Sequence, residues 1–195
     1  MRPDLSAIAA CTLAACLAVA TPVTAGPIAE KAAEIETLVA ANNTDAALLA
    51  ARSILAQVWD GSAGIGFTAA LLVAEPSSGY GVYNARKDEK YKIGDPVILY
   101  VEPYGFGYGV PGEGLFAVGF FVDLKVMSET GEVLADLPSL TEMNLVSRNA
   151  PREFQDSITY NLGGIKAGRY VLQTTLRDKN SGKFGVFENT IEFTE

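Results

Sequence analysis

The chain has 195 residues, a formal net charge of -8 and no histidine, and its two cysteines are Cys11 and Cys16. Zinc sites of the usual His/Cys type, thiol chemistry and His-based triads are therefore excluded from everything after the first segment. An acidic chain with no basic run is also unsuited to nucleic acid or to an anionic lipid surface.

Met1 to Ala25 carries one arginine, Arg2, then an apolar run from Leu5 to Ala20, then Pro22 and the small-residue exit Val23-Thr24-Ala25. That order predicts a secretory signal over residues 1–25, cleaved near Ala25. The apolar run is shorter than the roughly 20 residues that span a bilayer, and no later segment is long enough, so no stable membrane insertion is expected. Leu13-Ala14-Ala15-Cys16 resembles the lipobox of bacterial lipoproteins, which makes lipidation at Cys16 the alternative. The apolar core runs on through Leu17-Ala18-Val19-Ala20, as suits a cysteine acting as a small hydrophobe. The expected location is periplasmic or extracellular.

Residues 26–60 read as a helical hairpin. Pro27 suits a first helical position, and Ile28, Ala32, Ile35 and Val39 recur at helical spacing. Asn42-Asn43 interrupts the pattern, and Thr44 is placed to cap a second helix begun by Asp45. Its expected stripe is Leu48, Ala51, Leu55 and Val58, with Trp59 beside it. The pair resembles a single tetratricopeptide-like hairpin without the stacked copies such repeats need, so its apolar face is expected to dock on the rest of the protein.

Residues 61–195 read as β. Val97, Leu99 and Val101 alternate with Ile98, Tyr100 and Glu102, and Phe120, Val122, Leu124 and Val126 with Phe121, Asp123, Lys125 and Met127. The period of two returns at Phe154, Ile158, Tyr160 and Leu162, at Tyr170, Leu172, Thr174 and Leu176, and at Phe187, Ile191 and Phe193. Residues 129–132 and 178–183 have the composition of hairpin turns. No helical spacing intervenes to make parallel crossovers, so the expected fold is mainly β, an antiparallel sandwich with an N-terminal α-helical hairpin.

Ile165-Lys166-Ala167-Gly168-Arg169-Tyr170, followed by Leu172, Thr174 and Leu176, resembles the corner and strand of bacterial immunoglobulin-like (Ig-like) domains. The resemblance implies that Tyr170 bonds back to the backbone at the start of the penultimate strand. Tyr91 to Pro96, leading into Val97, resembles an early turn of the same sandwich. The likeness concerns fold only, lacks the disulfide and central tryptophan of antibody domains, and implies no catalytic residue.

The candidate site is the segment from Glu102 to Gly112, where Tyr104, Phe106 and Tyr108 alternate with glycines. In an extended segment these aromatics would share one side. They would then form a row able to anchor a protein partner or stack on a saccharide. Gly79-Tyr80-Gly81-Val82, followed by Tyr83, echoes Gly107 to Val110 and would enlarge that surface. The other use of such aromatics is structural, covering the end of the sandwich or seating the helical hairpin. Arg148 and Arg152 suit an acidic sugar or a carboxyl terminus, or else pair locally with Glu142 or Glu153.

Residues 178–182 supply one carboxylate and a lysine, which is poor for calcium. Glu102, Asp123, Glu142 and Glu153 are the carboxylates a glycosidase would draw on, but nothing in the sequence fixes a pair. The expectation is a non-catalytic binding protein without a cofactor or metal. Its partner is an envelope protein or, alternatively, a saccharide.

Overall fold

The computed structural model describes residues 26–195, so the predicted signal and Cys16 lie outside the described residues. The chain divides into two compact units at Ala51/Arg52 rather than after residue 60.

In the first unit, α1 spans Pro27–Ala40 and starts with Pro27 just inside Gly26. It ends in a left-handed residue, Asn42 (φ 56°). Asn42 N–H donates to Val39 O and Asn43 N–H to Leu38 O, which satisfies two orphan carbonyls of the last turn. α2 spans Thr44–Asp60 and crosses the boundary between the units. Its cap is Asn43, one residue before the expected Thr44, with Asn43 Oδ1 accepting from Ala46 N–H at 3.4 Å.

The expected apolar stripes are largely exposed. No residue of α1 is buried. In α2, Leu48, Leu55 and Val58 face out, and the buried positions are Ala47, Ala50 and Trp59. The spacing was right for a helix, but alanines and Trp59 rather than leucines occupy its covered side.

The second unit is the sandwich. β1 (Gly66–Val73), β3 (Val97–Tyr104) and β6 (Asp156–Tyr160) form a three-stranded sheet in the order β1-β3-β6. β2 (Lys90–Lys92), β4 (Phe116–Ser128), β5 (Val133–Ser147), β7 (Gly168–Asp178) and β8 (Phe184–Thr194) form the other sheet, in the order β2-β8-β7-β4-β5. The hairpins β4–β5 and β7–β8 turn at the two predicted places.

One pair departs from the antiparallel expectation: β2 runs parallel to β8. No crossover helix is needed, because β2 comes from the β1–β3 connection and meets a strand about a hundred residues later.

The alternation predicted for β4 holds: Phe120, Val122, Leu124 and Val126 are buried and pack in one core with Val97, Leu99, Val101, Leu172 and Ile191. β3 differs, because Ile98, Tyr100 and Glu102 are buried as well. Residues 74–88 contribute to the cover of this outer face: Tyr83 lies 4.4 Å from the Tyr100 ring, centroid to centroid. Tyr170 Oη donates to Lys166 O at 3.0 Å, the corner contact that the Ig-like resemblance implies.

Candidate functional site

The row of aromatics does not form. Gly105 has φ +81°, which ends the extended run and with it the two-residue alternation. Tyr104 is 47% exposed, whereas Phe106 is 1% exposed. The Tyr104 ring lies over Gly66 and leaves no room there for a Cβ.

Phe106 belongs to the core. It meets Trp59, Tyr108, Phe120 and Phe154 edge-on at centroid distances of 5.0 to 5.9 Å. Trp59 Nε1 donates to Phe106 O at 2.7 Å, tying the end of α2 to the glycine-aromatic segment. Tyr108 is half-buried; its hydroxyl donates to Pro151 O at 2.7 Å. Burial pushes the Tyr108 phenol up, opposed by the charge of Arg152.

The segment is held by the carboxylate of Asp178, the first residue of the predicted 178–183 turn. Asp178 is buried and accepts from Gly107 N–H at 2.6 Å, from Asn180 N–H at 2.9 Å and from the Ser181 hydroxyl. Its position at the mouth of the β7–β8 turn is what a turn aspartate offers.

Tyr80 and Tyr83 sit with Tyr104 on the outer face of the three-stranded sheet, and all three are partly exposed. Gly81 N–H donates to Tyr100 Oη at 2.7 Å and to Glu102 Oε1 at 3.2 Å, and Tyr100 donates to Glu102. Burial first, and then the bond to Glu102, pushes the Tyr100 phenol up to about 12. The echoed glycine-tyrosine segment therefore faces β3 and not the segment it echoes.

Three of the four carboxylates considered for glycoside cleavage, Glu102, Asp123 and Glu142, have separate partners. Arg177 binds Asp123 through two nitrogens, at 2.7 and 3.0 Å, and holds its carboxyl below the usual range. Lys179 bonds Glu142 at 2.6 Å. Among the described residues, no three His, Cys, Asp or Glu side chains form a group able to hold a metal.

Two surfaces adjoin along β5. The first is the edge strand β5, bonded on one side only, to β4. Pro138, Ser139 and Leu140 stand opposite the single residue Asp123, forming a bulge. Ser139 has φ 50°; its N–H donates to Asp123 Oδ1 at 2.7 Å, and its hydroxyl accepts from Arg177 at 2.8 Å. Beyond the bulge, Thr141 to Ser147 runs in regular register, with Leu145 and Val146 exposed. Before it, Leu134, Ala135 and Leu137 line an apolar cleft of about 450 Å³ with Leu162 and Ile165.

The second surface starts where β5 ends. Ser147, the loop from Asn149 to Glu153, and Arg52 and Leu55 of α2 line an open cleft of about 790 Å³. The Arg152 guanidinium lies 5.7 Å from the Trp59 ring centroid. Arg148 is exposed in the same loop. Residues 133–147 carry no apolar alternation that announces β5, because nearly every side chain there is exposed. Pro138 was the available signal, since proline within a strand marks an edge.

No family model matches the chain, and no curated protein matches it. Among solved structures, CopC from Methylosinus trichosporium OB3b is similar at 12% identity and a TM-score of 0.27, over 65% of this chain and 96% of that one. No helix among the described residues is long and apolar enough to cross a membrane.

Proposed function

We propose that this chain is exported by its first 25 residues and acts without catalysis, binding a protein partner in an envelope assembly through the free edge of β5. The observation that carries this reading is a 15-residue strand left unpaired on its outer side, with exposed leucines and valines along it. A bare edge is a template for strand addition, in which main-chain bonds supply affinity and flanking pockets select side chains. The apolar cleft beside Leu134 and Leu137 is such a pocket. The bulge at Ser139 confines regular pairing to short stretches, which favours a peptide-sized partner segment over sheet-to-sheet aggregation.

The test is capture from an envelope extract by the wild-type chain and by Leu145→Lys/Val146→Lys. The lysines are expected to abolish capture while leaving the urea midpoint unchanged, because both positions are exposed. Equal capture by both proteins sinks the edge reading.

The second reading, saccharide binding, draws on Tyr80, Tyr83 and Tyr104, whose partly exposed rings share one face with Glu102. It takes precedence if the edge variant still binds and Tyr80→Ala/Tyr83→Ala does not.

A further inference from the structure

We infer that the cleft at the end of β5 receives the C-terminal carboxylate of a peptide chain. The inference rests on the protein-partner reading and names the part of the partner that this end of the sandwich binds.

The charge pattern comes first. Of the six described arginines, Arg86, Arg169 and Arg177 have carboxylate partners. Arg52, Arg148 and Arg152 have none among the described residues, in a chain with 23 acidic side chains. Two of the three line one cleft, and the third lies in the loop that forms its wall. Glu153 lines the same cleft without forming an ion pair with any of them.

Arg152 is held rather than free. Its Nε is buried and makes no hydrogen bond within the protein. The loop is fastened on both sides of it, by the bond from Tyr108 to Pro151 O and by the buried Phe154. A partly desolvated cation with no counter-charge raises the free energy of the empty cleft, and an anion on its open nitrogens relieves it. Because the side chain is already ordered, less entropy is lost on binding.

The lining selects among anions. Trp59 is buried with its N–H engaged, so no aromatic face is open for a sugar ring to stack on. Leu55, Ala150 and Pro151 lie beside the arginines and suit the apolar side chain of a last residue. Glu153 opposes the second charge of a phosphate. The cleft also begins at Ser147, so a strand added parallel to β5 delivers its C-terminus there.

Trp59 is the single tryptophan of the chain and lies beside Arg152, so its emission reports on the cleft directly. The purified chain is titrated with a pool of hexapeptides ending in leucine, as free acids and as C-terminal amides, and separately with glucuronate and inorganic phosphate. The free acids are expected to change the emission saturably, and the amides to bind at least about tenfold more weakly. Arg152→Gln is expected to weaken the acids by a similar factor, and Arg52→Gln and Arg148→Gln, at exposed positions, by less.

Equal binding of acid and amide, tighter binding of glucuronate or phosphate, or no saturable change at all overturns the inference. So does an Arg152→Gln protein of unchanged urea midpoint that still prefers the acid. Extract capture that Arg152→Gln retains and the β5 lysines abolish removes the carboxylate site alone. Absence of any captured partner removes the partner reading, while the titration still decides the cleft.

Discussion

Asp178 shows how one buried side chain decides what a neighbouring segment is for. It satisfies backbone N–H groups on two segments, Gly107 in the glycine-aromatic stretch and Asn180 in the β7–β8 turn. Without it those donors lose a charged acceptor in a part-buried setting, at about 1.5 to 3 kcal/mol for a bond of this kind. Asp178→Ala is therefore expected to lower stability by about 2 to 3 kcal/mol, read as a fall in urea midpoint, with Asp178→Asn intermediate. An alanine variant as stable as wild type means the segment is held by its aromatics alone. Lys183 adds to the same clamp, its ammonium donating to Gly105 O at 3.0 Å. Held from both sides, Phe106 has no route to the surface.

At the scale of elements, the bulge in β5 is the feature with the most consequence, and a polar triad builds it. Asp123 accepts from Arg177 and from Ser139 N–H, which fixes Ser139 in a left-handed conformation that serine adopts at some cost. The Asp123 pKa is depressed first by the Arg177 bond, so its contribution is complete above the ordinary aspartate value of about 3.9. It is lost as pH falls through the depressed folded value. The urea midpoint of wild type is expected to drop steeply below about pH 4, and Asp123→Asn to flatten that drop while lowering stability at neutral pH. A variant with the wild-type acid profile means other carboxylates govern it. β3 carries a second lesson: its alternation was legible, but both faces are covered because residues 74–88 return across the sheet. A single strand's pattern holds no trace of a segment that arrives from elsewhere.

At the scale of the whole molecule, a chain of net charge -8 leaves three arginines unpaired near one cleft, which gives that cleft the opposite sign to its surroundings. If the chain is exported as proposed, the protein recovered from outside the cytoplasm is expected to begin at Gly26; mass spectrometry finding a lipidated N-terminus at Cys16 overturns that cleavage. Much of the fold could be read without coordinates. Period-two alternation marked five strands, turn residues marked both hairpins, and the Lys166–Tyr170 stretch marked the corner that Tyr170 Oη closes. These are local signals, set by side-chain spacing and backbone preference over a few residues. The site was less legible. Tyr104, Phe106 and Tyr108 look equivalent in sequence, and only the turn at Gly105 and the contact with Trp59 separate an exposed ring from a core one. Arg148 and Arg152 were visible as a pair, but Arg52, nearly a hundred residues earlier, joins them only through α2. The sequence by itself determined five of the eight strands, both hairpin turns and the absence of histidine and cysteine chemistry after the first segment. Tertiary structure alone decided which edge stayed bare and which charges stayed unpaired, because both depend on contacts between residues far apart in the chain.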